Sequence, residues 1–393
     1  MRAVTDDWES FLARELQART DQGLMRSLRP FERHGASVVA PDGHRLLNLS
    51  SNDYLGLAFD PAVREAVARA AGRGAGATAS RLVVGTDREL AALEERLAAF
   101  QGTEAALVLG SGYLGNQGTI AALVGPDDAV FSDRLNHASI VDGCRLSRAH
   151  LYRYGHLDVD QLEQMLTRAD RSGVRRKLIV TESVFSMDGD VAPLEEIVEL
   201  KERHGAALLV DEAHADGVFG PGGRGYAHEL GIADRVDIHL GTFSKAFGVY
   251  GAYVAANATW IRFLVNANRS FIFTTGLPPA IVDAIDAALT RVEEADDLRT
   301  QLKRLAGRFR AELNRRGVDT RGSTTQILPA VVGESEEALA RSRRLEEAVV
   351  LAVAIRPPTV PPRTARLRFS LSALHTDDDV THVLDALAGL ERD

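Results

Sequence analysis

The chain has 393 residues, 45% hydrophobic and 26% charged, with a formal net charge of -9, a composition that fits a globular protein of two or three domains. The acidic balance argues against a general nucleic-acid binder, whose phosphate contacts need clustered Lys and Arg. A single cysteine, Cys144, excludes an internal disulfide framework and fits a reducing compartment. The stretch from Met1 to Ser10 carries no apolar signal core, and no apolar run approaches the roughly 20 residues of a membrane span. The expectation is therefore a soluble, cytoplasmic protein.

Trp8, Phe11, Leu12 and Leu16 stand at helical spacing and predict an amino-terminal helix over 7–26. Pro41-Asp42-Gly43 then marks a turn, so 1–50 reads as a leading helix and short strand segment. From about Asn52 to Ala295, apolar β-rich runs alternate with helical patterns. Strands are expected at 177–181, 206–211, 236–240 and 252–256, and a helix at 193–204 with Pro193 near its start. This alternation implies an α/β domain over 51–295, its mostly parallel sheet covered on both faces. Beyond Pro278 a long helical stretch runs to Arg315. A smaller α+β unit, taken as 296–393, follows with strands at 326–332 and 365–371 and a last helix at 377–390.

Asp211 ends an apolar strand in the run Asp211-Glu212-Ala213-His214. The carboxyl ends of parallel strands face the ligand crevice, and a buried Asp there needs a cationic partner. After the next strand comes Thr242-Phe243-Ser244-Lys245. A Lys among hydroxyls and small residues suits an amine that must lose its proton and join a cofactor aldehyde. Pyridoxal phosphate accounts for both: its ring nitrogen stays protonated beside a buried carboxylate. Asp211 takes that place, His214 can reach the phenolate oxygen, and Lys245 meets the aldehyde. Its phosphate needs amides and hydroxyls at a helix start. Ser111, Gly112 and Tyr113, opening the helical run 117–123, have that form.

Six ordered runs carry a resemblance over nearly the whole chain: 51–57 (Ser-Asn-Asp-Tyr-Leu-Gly-Leu), Ser111-Gly112-Tyr113, Asn136-His137-Ala138-Ser139, 181–190 (Thr-Glu-Ser-Val-Phe-Ser-Met-Asp-Gly-Asp), Asp211 to His214 and Thr242 to Lys245. In them the chain resembles the α-oxoamine synthases, fold type I pyridoxal-phosphate enzymes. These condense an amino acid with an acyl thioester and release CO2. The resemblance implies that His137 stacks on the cofactor ring, that Ser186 assists His214, and that Lys245 is also the base at the substrate Cα. It implies a homodimer with the site at the interface, Thr275 (in Phe273-Thr274-Thr275-Gly276) reaching the neighbouring subunit's phosphate. Arg368, with Asn52, would clamp the amino-acid carboxylate. The run Ile355-Arg356-Pro357-Pro358-Thr359-Val360-Pro361 resembles the family member of biotin synthesis, which joins L-alanine to a pimeloyl thioester on coenzyme A or a carrier protein. Arg26 falls where that member meets the far carboxylate of the acyl chain. No metal is implied.

Val84, Ala215, Tyr250 and Arg363 depart from the family pattern without removing a catalytic group. Three alternatives stay open: an α-oxoamine synthase using glycine or serine with another acyl chain, an aminotransferase or lyase of the same fold, and a non-catalytic regulator.

Overall fold

The structure is a computed structural model that describes residues 7–390. Its central sheet has seven strands: β1 (Ala105–Leu109), β2 (Ala129–Asp133), β3 (His150–Tyr154), β4 (Lys177–Glu182), β5 (Ala207–Asp211), β6 (Ile238–Thr242) and β7 (Ala252–Ala256). They lie in the order β1-β7-β6-β5-β4-β2-β3. β7 runs antiparallel to both neighbours while the other pairs are parallel. The segment 243–251 is too short to hold a crossover helix, so the chain can only return beside β6 in the opposite sense.

β5 shows why this sheet forms. Leu208 and Val210 pack on one face with Leu194, Ile197 and Val198 of the helix Leu194–Arg203. Leu209 packs on the other with Ile120 and Leu123 of the helix Gly112–Leu123. An apolar run without alternation is what a strand buried on both faces requires. The helix Gly112–Leu123 starts five residues before the expected Gln117, because Ser111 Oγ accepts the Leu114 amide at 3.3 Å and caps it there.

Two smaller sheets lie beside the large one. Ile327–Gly333, Ala365–Ser370 and Val353–Ile355 form a three-stranded antiparallel sheet. Glu32–His34, Ser37–Val39, Arg45–Asn48 and Val350–Leu351 form a four-stranded one, in which Arg45–Asn48 pairs in parallel with Val350–Leu351. Every residue of Ala365–Ser370 is buried, Arg366 and Arg368 included. Buried guanidinium groups need partners, and theirs differ in kind.

One expectation needs correction. The amino-terminal helix covers Trp8–Asp21 and stops at Gln22, before Gly23 at φ 64°. Arg26 lies beyond the helix in an exposed segment without regular structure. The apolar stripe of that helix is uncovered in the single chain, Trp8 being 77% exposed. Among the described residues no helix is long and apolar enough to cross a membrane.

Candidate active site

The carboxyl ends of the parallel strands deliver the polar residues to one edge of the sheet. Ser111 follows β1, His137 follows β2, Glu182 closes β4, Asp211 closes β5 and Lys245 follows β6. This is the crevice where open α/β sheets take their ligands.

Asp211 is buried. Its Oδ2 accepts the Asn116 side-chain amide at 2.6 Å and its Oδ1 the Ala213 backbone N–H at 2.9 Å. Both donors are neutral, and among the described residues no ion pair reaches this carboxylate. Lys245 is half-buried, and its ammonium loses proton affinity chiefly through burial, against the pull of Asp211 and Glu182. A deprotonated amine is the nucleophilic form.

Four side chains stand in a row within hydrogen-bonding distance of one another. Tyr54 Oη lies 2.6 Å from His214 Nδ1 and 3.2 Å from Asn52 Oδ1. Arg368 Nη1 and Nη2 donate to the same Asn52 oxygen at 3.3 and 3.2 Å. Burial pushes the Tyr54 phenol up to about 12, so it stays a donor. Burial first, and then the charge of Lys245, hold the His214 imidazole well below its ordinary value. His214 is thus neutral; the single Tyr54 hydroxyl hydrogen serves either Asn52 Oδ1 or His214 Nδ1, and when it serves the shorter contact, to Nδ1, the imidazole proton sits on Nε2, where it can be given to an anionic oxygen.

Arg368 donates from Nε to the Ser186 carbonyl at 2.6 Å and from Nη1 to Ser370 Oγ at 2.7 Å. All its acceptors are neutral. Ser186 is brought to the cleft through this carbonyl; Ser183, earlier in the same loop, hydrogen-bonds Glu212.

His137 caps the helix Ala138–Ser147, its Nδ1 accepting the Ser139 amide at 3.2 Å and lying 2.7 Å from Ser139 Oγ. That role for Nδ1 leaves the ring proton on Nε2. Tyr113 meets the ring edge-on at 6.3 Å between centroids, and its hydroxyl bonds Asp142. Thr242 Oγ1 bonds Ser244 Oγ at 2.8 Å. A Cβ added at Gly112 would come within 3.6 Å of the Thr242 Cβ. The helix start and the Lys245 loop therefore lie close together, and the Ser111 hydroxyl, acting as acceptor to Leu114, keeps its hydrogen to donate.

Glu182 has no role in the sequence reading, although it lies inside one of the quoted runs. It is buried, pairs in register with Asp211 and accepts the His137 backbone N–H at 2.6 Å. Burial, then the Asp211 charge, push its carboxyl up to about 8. Its signal is an acid closing the apolar strand 177–182 beside a strand that also ends in an acid.

Not every expected residue joins this cluster. Thr275 is exposed and forms a bridge with Ser80. Arg26 lies 3.5 Å from Thr359 Oγ1, and Arg356 donates to the Gly23 carbonyl. The two arginines meet at the loop 355–361 and make no hydrogen bond to the Lys245 cluster. Among the described residues no group of three or more His, Cys, Asp and Glu is placed to hold a metal.

These groups fit pyridoxal phosphate: a buried carboxylate without an ion pair among the described residues, an amine beside it, a neutral imidazole that can offer an N–H, and a helix start with a spare hydroxyl hydrogen. The comparisons agree. The aminotransferase class I and II family matches residues 44–387. The chain is 51% identical over 385 residues to the 8-amino-7-oxononanoate synthase of Geobacter sulfurreducens, covering 97% of this chain and 98% of that protein. It superposes on the serine palmitoyltransferase of Sphingomonas wittichii with a TM-score of 0.92 at 34% identity, over 98% of each chain. On the 8-amino-7-oxononanoate synthase of Francisella tularensis the TM-score is 0.76 at 27% identity, over 88% of this chain and 98% of that one.

Proposed function

The chain belongs to the aminotransferase class I and II family and, within it, to the 8-amino-7-oxononanoate synthases, and from that membership we propose how its own residues carry out the reaction. It is a fold type I acyltransferase of biotin synthesis with pyridoxal phosphate as cofactor. L-Alanine and a pimeloyl thioester are its substrates; 8-amino-7-oxononanoate, CO2 and the free thiol are its products.

The cofactor, when bound, supplies an aldehyde for amines and an electron-withdrawing ring that holds the electron pair left at the substrate Cα. Asp211 would hold the ring nitrogen's proton and His214 Nε2 would donate to the phenolate oxygen, with Ser186 alongside. The neutral His137 ring would cover the ring face. Ser111, Gly112, Tyr113 and Thr242 would hold the phosphate side, with Thr275 contributed from a second copy of the chain.

Arg368 binds the alanine carboxylate through its planar fork, and Asn52 holds that fork in place. Lys245 Nζ takes the alanine Cα proton as general base. The Cα electron pair attacks the thioester carbonyl carbon; the C–S bond breaks and the thiolate leaves, taking its proton from solvent. Loss of CO2 then breaks the bond from Cα to the carboxylate, and Lys245 returns a proton to Cα. Arg26, against Thr359, and Arg356, in the same loop 355–361, receive the far carboxylate of the pimeloyl chain. We also propose a cytoplasmic homodimer, and a division of the chain into 1–50, 51–295 and 296–393.

The observation that supports this reading best is Arg368, a buried cation in the cleft with only neutral acceptors, and therefore a ready seat for a carboxylate. Mass analysis of the product formed from L-alanine and pimeloyl-CoA with pyridoxal phosphate tests it. The mass of 8-amino-7-oxononanoate is expected; faster turnover of glycine with a succinyl thioester would overturn the substrate assignment.

A further inference from the structure

Asp133, the last residue of β2, and Asp190, which ends the loop 183–190, both face one imidazole. His156 Nδ1 lies 3.0 Å from Asp133 Oδ1, and His156 Nε2 lies 2.8 Å from Asp190 Oδ2. The ring sits edge-on to Phe185, with centroids 4.5 Å apart. A neutral imidazole has one N–H and could serve only one carboxylate, leaving lone pair against lone pair at the other. Both contacts are hydrogen bonds only if the ring is the imidazolium, donating from each nitrogen. Burial works against that charge, but the hydrogen bonds and charges of Asp133 and Asp190 outweigh it and hold the imidazole up at about 10.

The two aspartates belong to different walls of the cleft. Asp133 also accepts the Leu135 N–H at 2.7 Å and the Leu157 N–H at 2.9 Å, shaping the turn that leads to His137. The Asp190 carbonyl accepts the Phe185 N–H at 3.0 Å, closing the loop around Ser186, whose own carbonyl aims Arg368. We propose that His156 is a positioning residue: its imidazolium staples the His137 turn to the Ser186 loop and so sets the spacing between the ring that covers the cofactor and the guanidinium that binds the substrate carboxylate. The proposal rests on the function proposed above in its choice of ligands, and on geometry alone for the staple.

The test uses the full chain as wild type, His156→Gln, Asp190→Asn and the double variant. Nitrogen NMR of the apoprotein at pH 8 should show both His156 ring nitrogens protonated. His156→Gln should weaken pyridoxal phosphate binding to the apoprotein and raise KM for alanine, each about tenfold, since small displacements at a remote support cost that much. Removing the now unbalanced carboxylate in the double variant should recover at least half of that loss on a logarithmic scale. If His156→Gln does not fold, Asp190→Asn alone should lower the His156 pKa and raise KM for alanine several-fold. Unchanged cofactor affinity and KM in His156→Gln, or in Asp190→Asn when it stands alone, would overturn the staple, as would a neutral His156 at pH 8. Should the wild type make no product from alanine and pimeloyl-CoA, the cofactor affinities and the NMR still decide the staple, and only the functional reading falls.

Discussion

Arg366 and Arg368 leave the same face of one buried strand, and only Arg366 meets a carboxylate, that of Asp188. Arg368, two residues on, is satisfied by the Ser186 carbonyl, Ser370 and Asn52 alone. The first arginine is a structural ion pair between the small sheet and the loop 183–190; the second, in the function proposed above, binds the substrate carboxylate. Arg368→Lys should therefore leave thermal stability nearly unchanged and raise KM for alanine about 10–100-fold, because an ammonium cannot reproduce the two-pronged contact. Arg366→Met should do the reverse, costing about 3 kcal/mol of stability by leaving Asp188 buried and poorly compensated. Kinetics and thermal denaturation on the two variants separate the roles.

Glu182 gives a dependence of stability on pH. Its carboxyl is raised from 4.5 to about 8, so between those values the folded protein keeps a proton that the unfolded chain has released. Stability is then lost as pH rises through that window, by up to about 1.4 kcal/mol per pH unit. Glu182→Gln removes the linkage. Chemical denaturation of the apoprotein at pH 5 and pH 8 should show a smaller fall in the variant than in the wild type.

Tyr54→Phe takes away the hydroxyl that sits 2.6 Å from His214 Nδ1. An unpartnered buried nitrogen costs about 1–3 kcal/mol, and the Nε2–H tautomer loses its support. The variant should bind pyridoxal phosphate more weakly and shift the pH midpoint of the bound cofactor's absorption band. An unchanged midpoint would show that Tyr54 does not set the His214 tautomer.

Gly248 follows Lys245 at φ 69°, and a Cβ there would fall 2.2 Å from the Ala58 backbone nitrogen. Gly248→Ala must move the Lys245 loop or the backbone of residues 57–58. Lower kcat together with a reduced Tm is the expected outcome, measured by steady-state kinetics and thermal denaturation.

Much of this is readable in the sequence for a local reason. The strands at 177–182 and 207–211 carry the apolar runs 178–180 and 207–210, Asp211 closes its strand and Lys245 follows the next, so period and position coincide. The parts that escape such a reading depend on contacts distant along the chain. Glu182 meets Asp211 only because β4 and β5 pair in register, and His156 takes its place only because Asp133 and Asp190 converge on it. The helical spacing that begins at Trp8 predicts a helix as far as Arg26. Gly23, at φ 64°, stands just past the end of that helix, and Arg26 instead meets Thr359 in the loop 355–361.

The claim on which the rest depends is that Lys245 is the amine that takes the cofactor aldehyde. Borohydride reduction of the protein with pyridoxal phosphate, followed by peptide mass mapping, tests it directly. A single pyridoxyl group on Lys245 is predicted, with Lys245→Ala binding the cofactor without covalent attachment and turning over no substrate. A label on another lysine, or full product formation by Lys245→Ala, would contradict the account.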